Sequence, residues 1–131
     1  MNRTWNREFS KKTWQWPCLV LVMSFVMASS ALAHHGWSGY DEGKTLSLTG
    51  VVKEASYTNP HGLIRLQVGG ENGKVWNCVL APPARMTARK LAQAELKVGS
   101  TATLVGYPHR QNGDEMRAEH ITINGKTVEL R

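Results

Sequence analysis

Cysteine is nearly absent from this chain of 131 residues: Cys18 and Cys78 are the only two. Two thiols cannot build the dense disulfide framework of a secreted miniprotein, so the fold has to rest on an apolar core. Low-complexity tracts are missing as well, and with 41% apolar and 20% charged residues the chain is too apolar for a disordered tail. Its length bounds it to one domain and excludes a multidomain enzyme. No apolar run reaches the roughly twenty residues that span a bilayer. Nor do a nucleophile, a base and an orienting group stand at a spacing that would mark a catalytic set, so the chain is read as a non-enzyme.

What is present begins with an address. Arg3, Arg7, Lys11 and Lys12 precede an uncharged apolar run over 17–27, and Ser29-Ser30-Ala31-Leu32-Ala33 follows. Basic residues, a short apolar run and a small-x-small end are the parts of a secretory signal peptide, so residues 1–33 are expected to be cleaved off after Ala33. An uncleaved anchor over 13–33 is the alternative. A lipoprotein is disfavoured, because Cys18 follows Pro17 and not a small residue. The expected location is periplasmic or secreted. Removal of the leader leaves 98 residues with 12 Lys+Arg against 9 Asp+Glu, a net charge of +3 in place of +6. The basic balance therefore resides largely in the leader, which leaves no footprint for nucleic acid and no stable membrane span after cleavage. Cys78 remains as the only thiol, so no intramolecular disulfide can form.

Residues 34–45 are rich in glycine and polar side chains and lack a period, so they read as an extended N-terminal arm ahead of a domain over 46–131. Leu46, Leu48, Gly50 and Val52 alternate with polar partners and the pattern runs on through Ala55 and Tyr57, a long first strand with a glycine that permits a bend. Asn59-Pro60-His61-Gly62 ends it. Ile64, Leu66 and Val68 mark a second strand, and Gly69-Gly70-Glu71-Asn72-Gly73 a hairpin turn into a third over 75–80. Pro82-Pro83 suits the first turn of a helix, and the composition of 85–94 suits a short one. Further strands are expected over 101–107, 116–123 and, past Asn124-Gly125, 127–130. That order is the order of an OB-type barrel. The fold class is accordingly mostly β, a small OB-like antiparallel barrel of five to six strands with one short helix between strands 3 and 4. An open antiparallel sheet with a helix on one face is the alternative.

His34-His35, Thr58-Asn59-Pro60-His61, Leu80-Ala81-Pro82-Pro83 and Gly106-Tyr107-Pro108, in this order and spacing, resemble an uncharacterised family of small exported bacterial proteins, a domain of unknown function. The resemblance covers nearly all of 34–131 and implies export and a compact β fold. It implies no reaction. His34, His35 and His61 fall on the family's pattern, whereas His109 and His120 are peculiar to this chain.

Five histidines raise the question of a metal. Cleavage after Ala33 would make His34 the first residue and place an α-amine beside its own imidazole, a pair that chelates Cu(II) with a third nitrogen in tetragonal geometry. The arrangement resembles the histidine brace of exported copper proteins. His35 offers a second mode through its amide and ring, while Gly36 in third position excludes the three-residue amine-terminal copper motif. The loops between strands 1 and 2 and between strands 4 and 5 of an OB barrel flank one face, and they carry His61 and His109, each directly after a proline. The metal candidates are thus His34, His35, His61 and His109, with copper or another transition metal as the cofactor. Read as ordinary residues, the same histidines are solvated loop and terminal positions, and His120 is strand surface. Cys78 reads as a small buried apolar group. Asp41-Glu42 and Asp114-Glu115 read as solvated loops, Arg85, Arg89 and Lys90 as a wet helix edge, and Trp37, Tyr40 and Tyr57 as core or arm packing. The function expected is a non-catalytic binding module, for copper or, alternatively, without metal for an envelope protein, peptide or glycan on the barrel face.

Overall fold

A computed structural model describes residues 36–131. The expected signal peptide, His34 and His35 lie outside the described residues. Six strands follow in order: β1 (Leu46–Ser56), β2 (Leu63–Val68), β3 (Lys74–Val79), β4 (Thr101–Pro108), β5 (Glu115–Ile123) and β6 (Lys126–Glu129). The helix α1 (Pro83–Ala88) and a 3-10 turn (Gln93–Glu95) lie between β3 and β4. No helix among the described residues is long and apolar enough to cross a membrane.

The barrel closes through the length of β1. Its first half, from Leu46 to Val51, pairs with β4, and its second half, from Val51 to Ser56, pairs with β2. Gly50 stands at the changeover, where a Cβ would collide with the Gln67 carbonyl, so two strands can approach one segment only because it lacks a side chain. β3 then meets β5 in parallel, with Asn77, Cys78 and Val79 opposite Glu115, Met116 and Arg117. Strand patterning alone points to an antiparallel barrel, and here the ring is mixed. The reason is parity: in a closed ring of five strands directions cannot alternate all the way round, so one neighbouring pair must run parallel. β6 lies outside the ring on the far half of β5, reached through Asn124 and Gly125 at φ 52° and 74°. Two successive positive φ values are what a tight two-residue hairpin turn requires.

Val52, Ile64, Leu66, Cys78, Leu104, Met116 and Ile121 fill the barrel and are wholly buried. α1 adds Met86 to this core. The helix is shorter than the composition of 85–94 suggests. Lys90 takes φ 63°, its N–H bonds the Thr87 carbonyl at 2.9 Å, and the N–H of Leu91 bonds the Met86 carbonyl at 2.9 Å. This is the paired reverse bond of a Schellman ending, formed with lysine where glycine is usual. It turns the chain so that Leu91, wholly buried like Met86, drops into the core. Propensity favours more helix, and the burial of one leucine stops it.

Candidate functional site

Residues 36–45, expected to be extended, instead make turns against the end of the barrel that carries the loops. The Tyr40 N–H bonds the Trp37 carbonyl at 3.0 Å, the Asp41 N–H bonds the Pro108 carbonyl at 2.9 Å, and the Arg110 N–H bonds the Gly39 carbonyl at 2.8 Å. Tyr40 is buried and donates its hydroxyl to Glu115 at 2.5 Å. Asn112 donates to the other Glu115 oxygen at 3.0 Å. Burial pushes the Glu115 carboxyl up, but these two bonds together with the charge of His109 outweigh it and hold the group below its ordinary range. Of the Asp-Glu pair in this loop, Glu115 is therefore a receptor for the arm, while Asp114 is exposed.

Beneath the arm lies Arg117, only 8% exposed. Met116 and Ala118 on either side of it belong to the core, so strand alternation sends Arg117 to the outer face of β5, where the arm covers it. Its fork donates to the Gly36 carbonyl through Nη1 and to His61 Nε2 at 3.0 Å through Nη2. The Trp37 ring lies 4.4 Å from its guanidinium carbon and the Tyr40 ring 6.0 Å from it. Arg131 covers the same Trp37 ring at 4.7 Å, so one indole meets two guanidinium groups. Arg131 is in turn paired with Glu42 at 2.9 Å and Glu119 at 3.5 Å, and Glu119 accepts the Tyr107 hydroxyl at 2.8 Å.

The two candidate histidines of the barrel loops are both committed to protein partners. His61 accepts from Arg117, and since a guanidinium has no acceptor, the neutral ring carries its proton on Nδ1. Burial first, then the positive charges of Arg117 and Arg85, hold the His61 imidazolium below its ordinary pKa. His109 uses Nδ1 to accept the backbone N–H groups of Gln111 and Asn112 at 3.2 and 3.1 Å, and its ring meets Tyr40 edge-on at 5.1 Å. Both loops thus reach the same hub through different neighbours, His61 by Arg117 and His109 by Tyr40. Among the described residues no three His, Cys, Asp or Glu side chains are gathered to hold a metal. His120 lies in β5 opposite Glu129 of β6.

Other candidates are absorbed by the fold. Cys78 is buried, which pushes its thiol up to about 12. Tyr57 ties the end of β1 to the helix, its hydroxyl reaching Thr87 at 2.9 Å and the Leu91 carbonyl at 2.7 Å.

A family model, described as a family of unknown function (DUF6152), matches residues 22–127. The chain belongs to that family. Membership spans all of the described arm, the barrel up to β6, His61, His109 and Arg117. No curated protein matches the chain. Among solved structures, a chain in the crystal structure of a complex of TiaS with an isoleucine transfer RNA and ATP is similar over 70% of this chain at 19% identity and a TM-score of 0.46, and this chain spans only 19% of that one.

Sequence reasoning missed Arg117 and Arg131. A signal for the first was present: Met116-Arg117-Ala118 puts one charge inside an apolar alternation. For Arg131 the sequence offers none, since its role depends on Trp37, far away in the chain.

Proposed function

We propose that this protein is an exported, non-catalytic binding module that meets its ligand at the rim where the arm crosses the barrel. The observation that carries this reading is the state of Arg117: a nearly buried cation on the outer side of a strand, held by a carbonyl, an imidazole and two aromatic faces and, among the described residues, by no carboxylate. An unneutralised buried charge costs on the order of several kcal/mol, which a residue serving the fold alone would shed. Its position at a rim of loops, where OB barrels take their ligands, supports a binding role. Catalysis forms no part of the reading, because a thiol at about 12 is no nucleophile at neutral pH.

The reading is metal-free at His61 because a guanidinium already occupies the direction from which a metal would approach Nε2, which leaves Nδ1 as its one open nitrogen. This favours an envelope protein, peptide or glycan. Copper or another transition metal on the amine and ring of His34 is the second reading. One observation favours it: Gly36, the residue directly after His34-His35, is fixed by its carbonyl to Arg117.

Calorimetry separates the two. The protein as processed by its host, its first residue determined by mass, is titrated with Cu(II) at neutral pH beside a version with one extra residue before His34. Far weaker binding by the extended version establishes the terminal chelate. Equal binding by both, or a first residue other than His34, overturns it and leaves the metal-free module.

A further inference from the structure

Six arginines lie in the described residues, and they fall into two groups. Arg65, Arg89, Arg110 and Arg131 each have a carboxylate within 4.0 Å, supplied by Glu54, Glu129, Asp41, and Glu42 with Glu119. Among the described residues Arg85 and Arg117 have none. These two are also the charged groups that bear on His61.

The backbone explains why they converge. Gly62, beside His61, donates its N–H to the Ala81 carbonyl at 3.1 Å and accepts the Leu80 N–H at 2.8 Å. A Cβ on Gly62 would come within 2.6 Å of Met86 Cε, so the loop seats closely on α1 and any larger residue would have to displace the methionine tip. The loop therefore rests against α1 and the segment leading into it, and α1 carries Arg85 next to Met86. Arg117 reaches the ring from β5. Between these cations His61 presents Nδ1–H. No protein acceptor for that group is present among the described residues, and no side-chain nitrogen there is both buried and unpartnered, so the Nδ1–H is not sealed from solvent.

We propose that His61, Arg85 and Arg117 form an oxyanion site that takes a phosphate or carboxylate group of the ligand, with His61 Nδ1–H and the Arg85 guanidinium as donors. Arg117 fixes the tautomer and supplies charge from behind. The proposal rests on the metal-free reading above. Its physical basis is the geometry: a nearly buried guanidinium without a carboxylate within 4.0 Å among the described residues, bonded to a ring that sits on the loop packed against the helix of a second such arginine. Burial presses Arg117 below its ordinary proton affinity, Tyr40 opposes this, and the charges of Arg85 and Arg131 add to it, so an anion here relieves an uncompensated positive charge. Charge-assisted bonds from a guanidinium and an oriented N–H are the usual means of holding a phosphate or carboxylate.

The test follows the His61 ring by NMR. The host-processed protein is titrated with pH in chloride, in inorganic phosphate and in acetate at matched ionic strength. A bound oxyanion cancels the positive field, so the His61 midpoint should rise by about one unit in the anion that fits, the size of shift a neighbouring charge produces. A rise in phosphate alone assigns a phosphate group, and a rise in acetate as well admits a carboxylate. Arg85→Gln, an exposed substitution that leaves the barrel intact, should abolish most of the rise. Identical midpoints in all three salts, or an undiminished rise in Arg85→Gln, overturn the site. The titration is run without copper and so reads the anion alone, and a flat anion response removes this site without deciding the copper reading.

Discussion

Two loops of this barrel carry the same Pro-His dipeptide and use it in opposite ways. After Pro108, His109 turns its Nδ1 inward to cap two amides of its own loop, at 3.2 and 3.1 Å, and leans its ring on Tyr40. After Pro60, His61 gives Nε2 to a guanidinium from another strand at 3.0 Å and leaves its other nitrogen to solvent. One histidine closes its loop. The other is held in a positive field with an open donor. The difference teaches that a dipeptide read from sequence states only where a ring begins; the partner that fills one nitrogen decides what the other can do.

The sharpest break of that comparison is Arg117→Ala. It deletes the bonds to Gly36 and His61, the contacts to two rings, and the volume beneath the arm, and should cost about 2–4 kcal/mol in urea denaturation. The Asp41 N–H, bonded to Pro108 at 2.9 Å, should exchange with solvent much faster. If its exchange is unchanged, Tyr40 and Glu115 hold the arm alone and Arg117 is not its latch. Arg117→Lys should recover little, because an ammonium lacks the fork that binds a carbonyl and an imidazole at once.

A smaller effect is expected on the His109 side. His109→Ala releases two exposed backbone donors to water and removes the ring contact with Tyr40, and should cost about 0.5–1.5 kcal/mol. His109→Asn should regain most of it, since a side-chain carbonyl can accept N–H groups two residues on. No recovery by asparagine would mean that the contact with Tyr40, and not the capped amides, is what His109 contributes.

The strands were legible because each one follows a local rule. Alternation marks β1, β2 and β5, and Asn124-Gly125 announces a turn that then adopts two positive φ values. The helix was overextended because residue propensities do not register that Leu91 has to leave the helix to be buried. The rim was legible only by halves. Its loops follow from strand order, but Arg117 is covered in part by a segment 81 residues away that bonds it through the Gly36 carbonyl. The arm, rich in glycine and without period, carries no pattern from which that covering could be foreseen. Trp37 and Tyr40 look like loop aromatics until the two arginines and Glu115 are placed against them.

A pH series sharpens the contrast further. His61 has a folded pKa below its ordinary 6.5, through burial and then Arg117 and Arg85, so the unfolded chain takes up this proton more readily than the folded one. Its stabilising share is complete above 6.5 and is lost as the pH falls from there through the lower folded value. The urea midpoint should drop across that window. His61→Gln, whose side-chain carbonyl still accepts from Arg117 but does not titrate, should flatten the drop; an equal drop in that variant would assign it to other groups.

The smallest expected effect is the most discriminating one. Arg65 is paired with Glu54 at 2.8 Å across β1 and β2, and Arg65→Gln should lower stability by no more than about 1 kcal/mol, as for other exposed ion pairs. Arg85 is exposed as well, but among the described residues it has no carboxylate within 4.0 Å, and its charge bears on His61 and Arg117. Arg85→Gln should therefore leave the urea midpoint unchanged or raise it slightly, within about 0.5 kcal/mol. A residue whose charge works against the fold and whose removal the fold does not register has its reason outside the fold, at the ligand. Clear destabilisation by Arg85→Gln would reverse that argument and return Arg85 to the ordinary surface of the helix.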